Sequence, residues 1–301
     1  MISKPYVILF ISVLSVSFAA IFIVSCSAHP LSIAFYRLLF TTLIILPFVI
    51  LNKKTRSELL NLPRMTLIIM VGIGLILAAH FSLWVTSLKF TSIASSVILV
   101  TAHPVLVGPV SHYFFGEKLS KINATGILLS VIGVIILVYG NYGFPSIVSD
   151  SLEGNILALL GGVAAGFYIL GGRKIRKSVS VTSYALVVYG VGTLALFLIC
   201  ILFSAPVYNL PIKDYQIILL MAIVSGIFGH TFYNWTLKYV RSSIMSVVLL
   251  GEPLASTLFA FAIPWIHQTP SKYTIFGGVI VLIGIYMTAR KVAASENPHK
   301  N

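Results

Sequence analysis

Three of the ionisable side chains that lie inside long apolar stretches of this 301-residue sequence are the first candidates for chemistry. Glu252 stands in the stretch SVVLLGEPLASTLF, directly before Pro253. His103 stands directly before Pro104, and Arg37 lies in the stretch FYRLLF. A charge at the centre of a bilayer costs about 2.5–3.5 kcal/mol on insertion scales, so such residues usually face a cavity or a partner.

Glu252 and His103 each have a functional and a structural interpretation. Glu252 could carry a proton or balance a cationic group of a substrate, or it could be a neutral, hydrogen-bonded acid that shapes its helix. His103 could bind substrate or change its charge near neutral pH, or it could simply hydrogen bond to a neighbour. Pro104 and Pro253 each remove a backbone hydrogen bond and therefore predict a helix kink.

Arg37 carries a planar fork of donors that suits an anionic group such as a substrate carboxylate. Two structural alternatives stay open, which are an ion pair with Glu252 and a side chain that extends outward to the membrane surface.

The remaining candidates for a substrate cavity share a polar or aromatic side chain within an apolar stretch: His80, Trp84, His230, Ser96 and Ser256. His80 and Trp84 are one helical turn apart, and Ser96 and Ser256 fall near the helical faces of His103 and Glu252. Each of them could equally be a structural residue. The sequence has no metal-ligand spacing and no cofactor motif, so we predict neither a metal nor a cofactor.

The composition indicates a membrane protein. Hydrophobic residues make up 58% of the chain, charged residues make up 9%, and the mean hydropathy is +1.03. A soluble domain carries about a quarter charged residues. The net charge of +13 fits basic residues that collect in cytoplasmic loops, so nucleic acid is not an expected partner.

Ten apolar runs are each about long enough for a helix that crosses a bilayer. They cover residues 5–26, 30–51, 65–87, 92–114, 123–140, 154–172, 182–204, 214–237, 243–265 and 272–290. Basic residues concentrate in alternate connections, for example at Lys53, Lys54 and Arg56 and again at Arg173 and Lys174. This bias predicts that both termini are cytoplasmic.

The two halves of the sequence resemble one another. The segment SLKFTSIASSVILVTAHP (87–104) aligns without gaps with TLKYVRSSIMSVVLLGEP (236–253), which pairs His103 with Glu252. Each half holds five predicted helices. Because five is odd, the second half must enter the membrane from the opposite side, as in the inverted repeats of secondary transporters.

The order and spacing of FYRLLFTTLIILP (35–47), of the stretch 80–120 and of GEPLASTLFAF (251–261) resemble the EamA family of the drug/metabolite transporter superfamily. The resemblance implies an all-α integral membrane protein with ten transmembrane helices in two inverted five-helix repeats, at 6–140 and 152–290, and a tail at 291–301. It also implies a central cavity for a small metabolite. Gly116–Glu117 matches the family's Gly-Glu signature, whereas the second repeat has IHQTPS in that place.

We therefore expect a secondary transporter, and not an enzyme, that exports or exchanges a small metabolite such as an amino acid by alternating access. Its expected partners are a small-molecule substrate, the lipid bilayer of the plasma membrane and, through Glu252, a coupled proton. One alternative is a nucleotide-sugar exchanger of the same superfamily, and another is a membrane protein without transport activity. No Walker motif is present, so ATP does not drive the chain directly. The sequence does not specify an oligomeric state.

Overall fold

The computed structural model describes residues 4–87, 90–91, 96, 99–142, 152–262 and 271–295. Within these residues the chain forms helices and no strands. Helices satisfy their own backbone hydrogen bonds, which is required where the surroundings contain no water.

The first half contributes seven helices: α1 (Lys4–Ser17), α2 (Ala19–Val24), α3 (Pro30–Leu51), α4 (Lys53–Leu60), α5 (Arg64–Ser87), α6 (Pro104–Phe115) and α7 (Lys121–Tyr142). The second half contributes α8 (Leu152–Arg176), α9 (Val181–Leu202), α10 (Ile212–Met221), a π-helix (Ala222–Thr231), α11 (Phe232–Thr236), α12 (Ser242–Val248), α13 (Gly251–Ala262) and α14 (Lys272–Ser295). In the part of the chain described, seven helical stretches are long and apolar enough to cross a membrane.

The helices follow the predicted apolar runs, but several runs are interrupted. The run at 5–26 forms α1 and α2, with a turn at Phe18 between them. The run at 214–237 changes from α-helix to π-helix and back. The run at 243–265 is divided into α12 and α13 by a turn at Leu249 and Leu250. The short polar helix α4 occupies a predicted connection, where Asn52 caps it by accepting from the N–H of Lys54 at 3.0 Å. Finally, α14 continues to Ser295, into the predicted tail, of which residues 296–301 lie outside the described residues.

Helices of the two halves pack against each other. The closely packed pairs are α1 with the π-helix, α3 with α9, α5 with α8, α6 with α12 and α7 with α14. The main hydrophobic core is formed by side chains of the first four and of the sixth to ninth apolar runs, and contains Leu77, Tyr184 and Leu196. A smaller core joins α7, α12 and α14.

The contact between α7 and α14 depends on glycine. A Cβ atom at Gly133 would lie 2.7 Å from the backbone N of Val281 and 2.8 Å from the carbonyl of Gly277. Gly126 and Gly284 face each other in the same way. Glycine at these positions therefore permits close packing of the two helices.

The outer surface of the helices is apolar. Large side chains such as Phe48, Leu198 and Phe276 are 66%, 65% and 62% exposed. A surface of this kind is unfavourable in water and suits contact with lipid tails. Together with the apolar helices, it establishes an integral membrane protein.

Three carboxylates join connections that are far apart in the sequence, and we call these contacts the acid clasps. Glu58 accepts from the hydroxyls of Ser180 and Ser183 and from the N–H of Ser180. Each clasp places a carboxylate at or near the start of a helix, where free N–H groups attract negative charge.

The other two acid clasps use Glu117 and Asp214. Glu117 forms an ion pair with Arg173 at 3.0 Å and accepts from the hydroxyl of Ser242, at the start of α12, at 2.9 Å. Asp214 accepts from the hydroxyl of Ser27 at 2.9 Å and from its N–H at 3.2 Å. Each clasp connects one half of the chain with the other.

Alanine at Gly133 should destabilise the fold, because its Cβ would push against backbone atoms of α14. The matched control is Gly190→Ala on α9, where a Cβ meets no atom within 4 Å and alanine favours the helix by about 1 kcal/mol. We expect a lower melting temperature in detergent for Gly133→Ala and an unchanged or higher one for Gly190→Ala. Equal effects of the two changes would contradict the packing described here.

The Glu58 clasp should make stability depend on acid pH. Burial opposes the charged form of Glu58, but hydrogen bonds from Ser180 and Ser183 and the charge of Arg176 outweigh it and lower the pKa of Glu58 below its ordinary 4.5. A lowered folded-state pKa stabilises the fold at neutral pH, and this stabilisation is lost as the pH falls below about 4.5 toward the lowered value.

We therefore expect the melting temperature of the wild type to fall more steeply below pH 4.5 than that of Glu58→Gln, which has no charge to lose. Glu153→Gln, at an exposed position, should keep the wild-type slope. Parallel curves for the wild type and Glu58→Gln would show that the clasp does not stabilise the fold.

Candidate functional site

Arg37 is a buried cation at the centre of the candidate site. Pro30 begins α3 with its fixed backbone angle, and His29 caps that helix by accepting from the N–H of Leu31 at 3.2 Å. Arg37 then lies two turns into the helix. Its side chain is 5% exposed, so it does not extend outward to the membrane surface.

A small cavity adjoins Arg37. Its lining residues come from α3, α5, α9 and the π-helix: Arg37, Leu38, Thr41, Leu77, Phe81, Tyr189, Gly226 and His230. The walls combine an apolar surface with a few polar groups, as is usual for small-molecule sites. Both halves of the chain supply the lining.

Aromatic rings form the part of the cavity wall next to Arg37. The guanidinium carbon of Arg37 lies 5.0 Å from the ring centre of Phe81, within the range of a cation–π interaction. The Phe81 ring in turn meets His230 edge-on, with 5.7 Å between the ring centres. This contact between α5 and the π-helix fixes the Phe81 ring beside Arg37.

The Nη2 atom of Arg37 is buried and has no hydrogen-bond partner among the described residues. Arg37 and Glu252 interact through their charges, but within that same part of the chain they form no direct ion pair. Glu252 lies in the first turn of α13 and does not line the cavity. The ion pair considered from the sequence is thus replaced by a longer-range attraction.

His80 and Trp84 stand beside the cavity, on α5. Their rings stack with 6.1 Å between centres and an angle of 10° between planes. Nδ1 of His80 donates to the carbonyl of Gly161 on α8 at 2.9 Å, which fixes this ring against the neighbouring helix. The indole Nε1 of Trp84 is buried and unpaired among the described residues.

His103 and Ser96 lie apart from the cavity lining. His103 is 8% exposed and precedes α6, where its carbonyl accepts from the N–H of Val107 at 2.8 Å. Its Nδ1 has no partner within the described chain. Ser96 shares a hydrogen bond of 2.8 Å with Ser87, and the side chain of Ser256 lies outside the described residues.

Helix interruptions lie just before both predicted kink prolines. A turn at Ala102 and His103 precedes Pro104, which is the first residue of α6. The turn at Leu249 and Leu250 precedes α13, in which Pro253 is the third residue. His103 and Glu252 therefore stand at comparable places, where an interrupted helix resumes.

A buried polar network extends from the cavity wall, and we call it the tyrosine network. Nδ2 of Asn234 donates to the hydroxyls of Tyr168 at 2.6 Å and Tyr189 at 2.8 Å. Tyr189 also lies 3.4 Å from the hydroxyl of Thr231. The network joins α8, α9 and α11, so it positions the Tyr189 wall of the cavity.

The π-helix brings His230 and Gly226 to the cavity. It packs on α1, where the hydroxyl of Ser12 donates to the carbonyl of Gly229 at 2.9 Å. Gly226 lies so close to Thr41 that a side chain there would collide with it. π-Helical turns are rare and frequently occur at functional sites.

The structure brings together only part of the predicted site. Arg37 and His230 line the cavity. His80 contacts the lining residue Phe81 and stacks on Trp84. The other predicted residues do not line the cavity, and the side chain of Ser256 lies outside the described residues. Sequence reasoning missed Phe81 and the tyrosine network. Tyrosines within apolar helices, which rarely stay buried without a partner, were the available signal.

Comparisons with known proteins agree with this architecture. The model of the EamA-like transporter family matches residues 3–139 and 152–290. An uncharacterized transporter of Archaeoglobus fulgidus is 28% identical over 275 residues, which are 87% of this chain and 88% of that protein. The uncharacterized transporter YyaM of Bacillus subtilis is 24% identical, over 85% of this chain and 83% of its own.

A solved crystal structure also shares the fold. It superposes with a TM-score of 0.80 at 19% identity and covers 98% of this chain and 100% of its own.

Asn234→Ala should destabilise the chain by about 1–3 kcal/mol, because it removes the donor shared by two buried tyrosine hydroxyls. Thermal or denaturant unfolding in detergent measures the loss. In a Tyr168→Phe/Tyr189→Phe background the same change should cost clearly less, since its partners are already absent. Equal costs in the two backgrounds would show that these hydrogen bonds do not stabilise the fold.

Proposed function

The chain belongs to the EamA-like transporter family, and on this basis we propose that it is a secondary transporter of a small metabolite, such as an amino acid. Transport would proceed by alternating access across the plasma membrane, in the direction of efflux or as exchange. The proposal makes the chain a carrier and not an enzyme.

The observation that carries this proposal is a buried arginine beside a cavity within the apolar interior. Arg37 is 5% exposed, and the cavity next to it is lined from both halves of the chain. A charge kept inside a membrane protein is costly and usually marks a substrate or ion pathway. A site between two halves is also where a rocking motion changes access.

The helix pairing supports an inverted repeat of ten helices. Counted as the ten predicted runs, the first packs on the eighth, the second on the seventh, the third on the sixth, the fourth on the ninth and the fifth on the tenth. The counterpart of each run in the other half lies five runs away. If every run is replaced by its counterpart, the pair of the first and eighth runs becomes the pair of the sixth and third runs. Each of the other three pairs maps onto itself. A pseudo-two-fold axis between two five-helix units, at 6–140 and 152–290, has this consequence.

The positions of the acid clasps support alternating access, because clasps lie on both sides of the membrane. With both termini cytoplasmic, as the basic residues favour, Glu58 and Glu117 lie in cytoplasmic connections and Asp214 lies near the other surface. Opening on either side then requires the clasps of that side to separate. Hydrogen bonds to charged groups contribute about 1.5–3 kcal/mol each, which a substrate can offset.

Glu252 is the proposed coupling residue. It stands where an interrupted helix resumes and interacts with the charge of Arg37 without pairing directly. A carboxyl in this position can take up and release a proton as the cavity changes its access. His103, its counterpart in the first half, is the proposed second polar group on this path.

The nucleotide-sugar alternative is not favoured. The cavity beside Arg37 is small. Among its described lining residues, Arg37 is the one lysine or arginine. A small substrate with one anionic group fits both observations better.

Glu252→Gln should abolish or uncouple transport while the protein stays folded, because glutamine keeps the shape but cannot carry a charge or exchange a proton. The measurement is the flux of a panel of radiolabelled amino acids in proteoliposomes, with and without a proton gradient. Glu153→Gln, at an exposed acid, is the control and should transport like the wild type. Wild-type flux from Glu252→Gln would reject this role.

A further inference from the structure

We propose that Arg37 binds the carboxylate of a small, largely apolar metabolite in the cavity between α3, α5, α9 and the π-helix. This inference rests on the proposed transport function and names the substrate class of that same site. It is a statement about binding, so it can be tested separately from flux.

The unpaired guanidinium is the first reason. Arg37 is 5% exposed, and its Nη2 has no hydrogen-bond partner within the described residues. Removing a charge from water without a partner costs several kcal/mol. Glu252, which attracts it, is not in direct contact. An anion delivered by a ligand would supply the missing partner.

The geometry of the guanidinium is the second reason. The guanidinium carbon lies over the Phe81 ring, 5.0 Å from its centre, while Nη2 has no partner among the described residues. Planar, bidentate pairing is the way in which arginine binds a carboxylate. A fixed fork loses less entropy on binding than a free one.

The other residues of the cavity wall indicate the chemistry of the rest of the ligand. Leu38, Leu77 and Phe81 present apolar surface, whereas the Tyr189 hydroxyl and the His230 ring offer polar contacts. The cavity is small, which excludes a bulky ligand. These features match a short carboxylate with a compact apolar body.

The buried arginine Arg176 provides a matched control within the same chain. It is 2% exposed, but its Nε donates to the carbonyl of Asn234 at 2.9 Å and its Nη1 donates to the carbonyl of Val179. A structural arginine of this kind satisfies its donors inside the protein. The comparison of Arg176 with Arg37 therefore separates packing from ligand binding.

The experiment measures the melting temperature of the full chain in detergent with four probes of similar size. These are propionate, propionamide, L-alanine and L-alaninamide, so that in two pairs an uncharged amide group replaces the carboxylate and the rest of the molecule is kept. We expect both carboxylates to raise the melting temperature in a concentration-dependent way and both amides to leave it unchanged. Equal shifts with propionate and propionamide would overturn the proposal.

Two variants complete the test. Arg37→Gln should keep or raise the melting temperature without ligand, because it removes an unpaired buried charge, and its half-maximal propionate concentration should rise about tenfold or more. Arg176→Gln should lower the ligand-free melting temperature and keep the half-maximal propionate concentration. A clear loss of ligand-free stability in Arg37→Gln with propionate binding retained would show a structural arginine and reject the site.

Flux and binding together separate this inference from the transport proposal. Selective carboxylate binding in a protein that gives no flux in proteoliposomes would reject transport and leave the Arg37 site in place. Flux that does not distinguish carboxylates from their amides would reject the Arg37 site and leave transport in place.

Discussion

The absence of water from a bilayer core is the constraint on which the rest of this structure depends. A polar group that finds no partner in the protein is therefore costly. Asn234 donates to two tyrosines, and Arg176 donates to two carbonyls. Several buried atoms of the described residues have no partner, among them Nε1 of Trp84 and Oδ1 of Asn234. Nη2 of Arg37 differs from these because it belongs to a cation and lies beside a cavity.

The two halves are joined in two different ways, and the difference bears on motion. Gly133 and Gly277 bring α7 and α14 into backbone contact, which leaves little room for sliding. The acid clasps instead join connections through a few hydrogen bonds to one carboxylate each, as Glu117 does with Ser242. Packed glycine faces suit a fixed axis, whereas small polar contacts at the ends of helices suit a reversible closure.

The sequence predicts the apolar runs, their approximate ends and several residues of the site, because bilayer thickness and the cost of buried charge act locally. Arg37 and His230 could be proposed on that basis. The interruption at Leu249 and the π-helical turns depend on contacts with other helices, and the tyrosine network depends on which side chains meet across α8, α9 and α11. No local pattern specifies such contacts, so the sequence could not supply them.

The π-helix has one further consequence for the cavity. A π-helix has more residues in each turn than an α-helix, so the side chains after it point in directions that regular α-helical pitch would not give. An α-helix over Ala222–Thr231 would turn His230 about the helix axis and away from Phe81. The number of residues per turn in this single segment thus decides whether an imidazole faces the cavity, and a change of pitch would also rotate α11 and shift Asn234 relative to Tyr189.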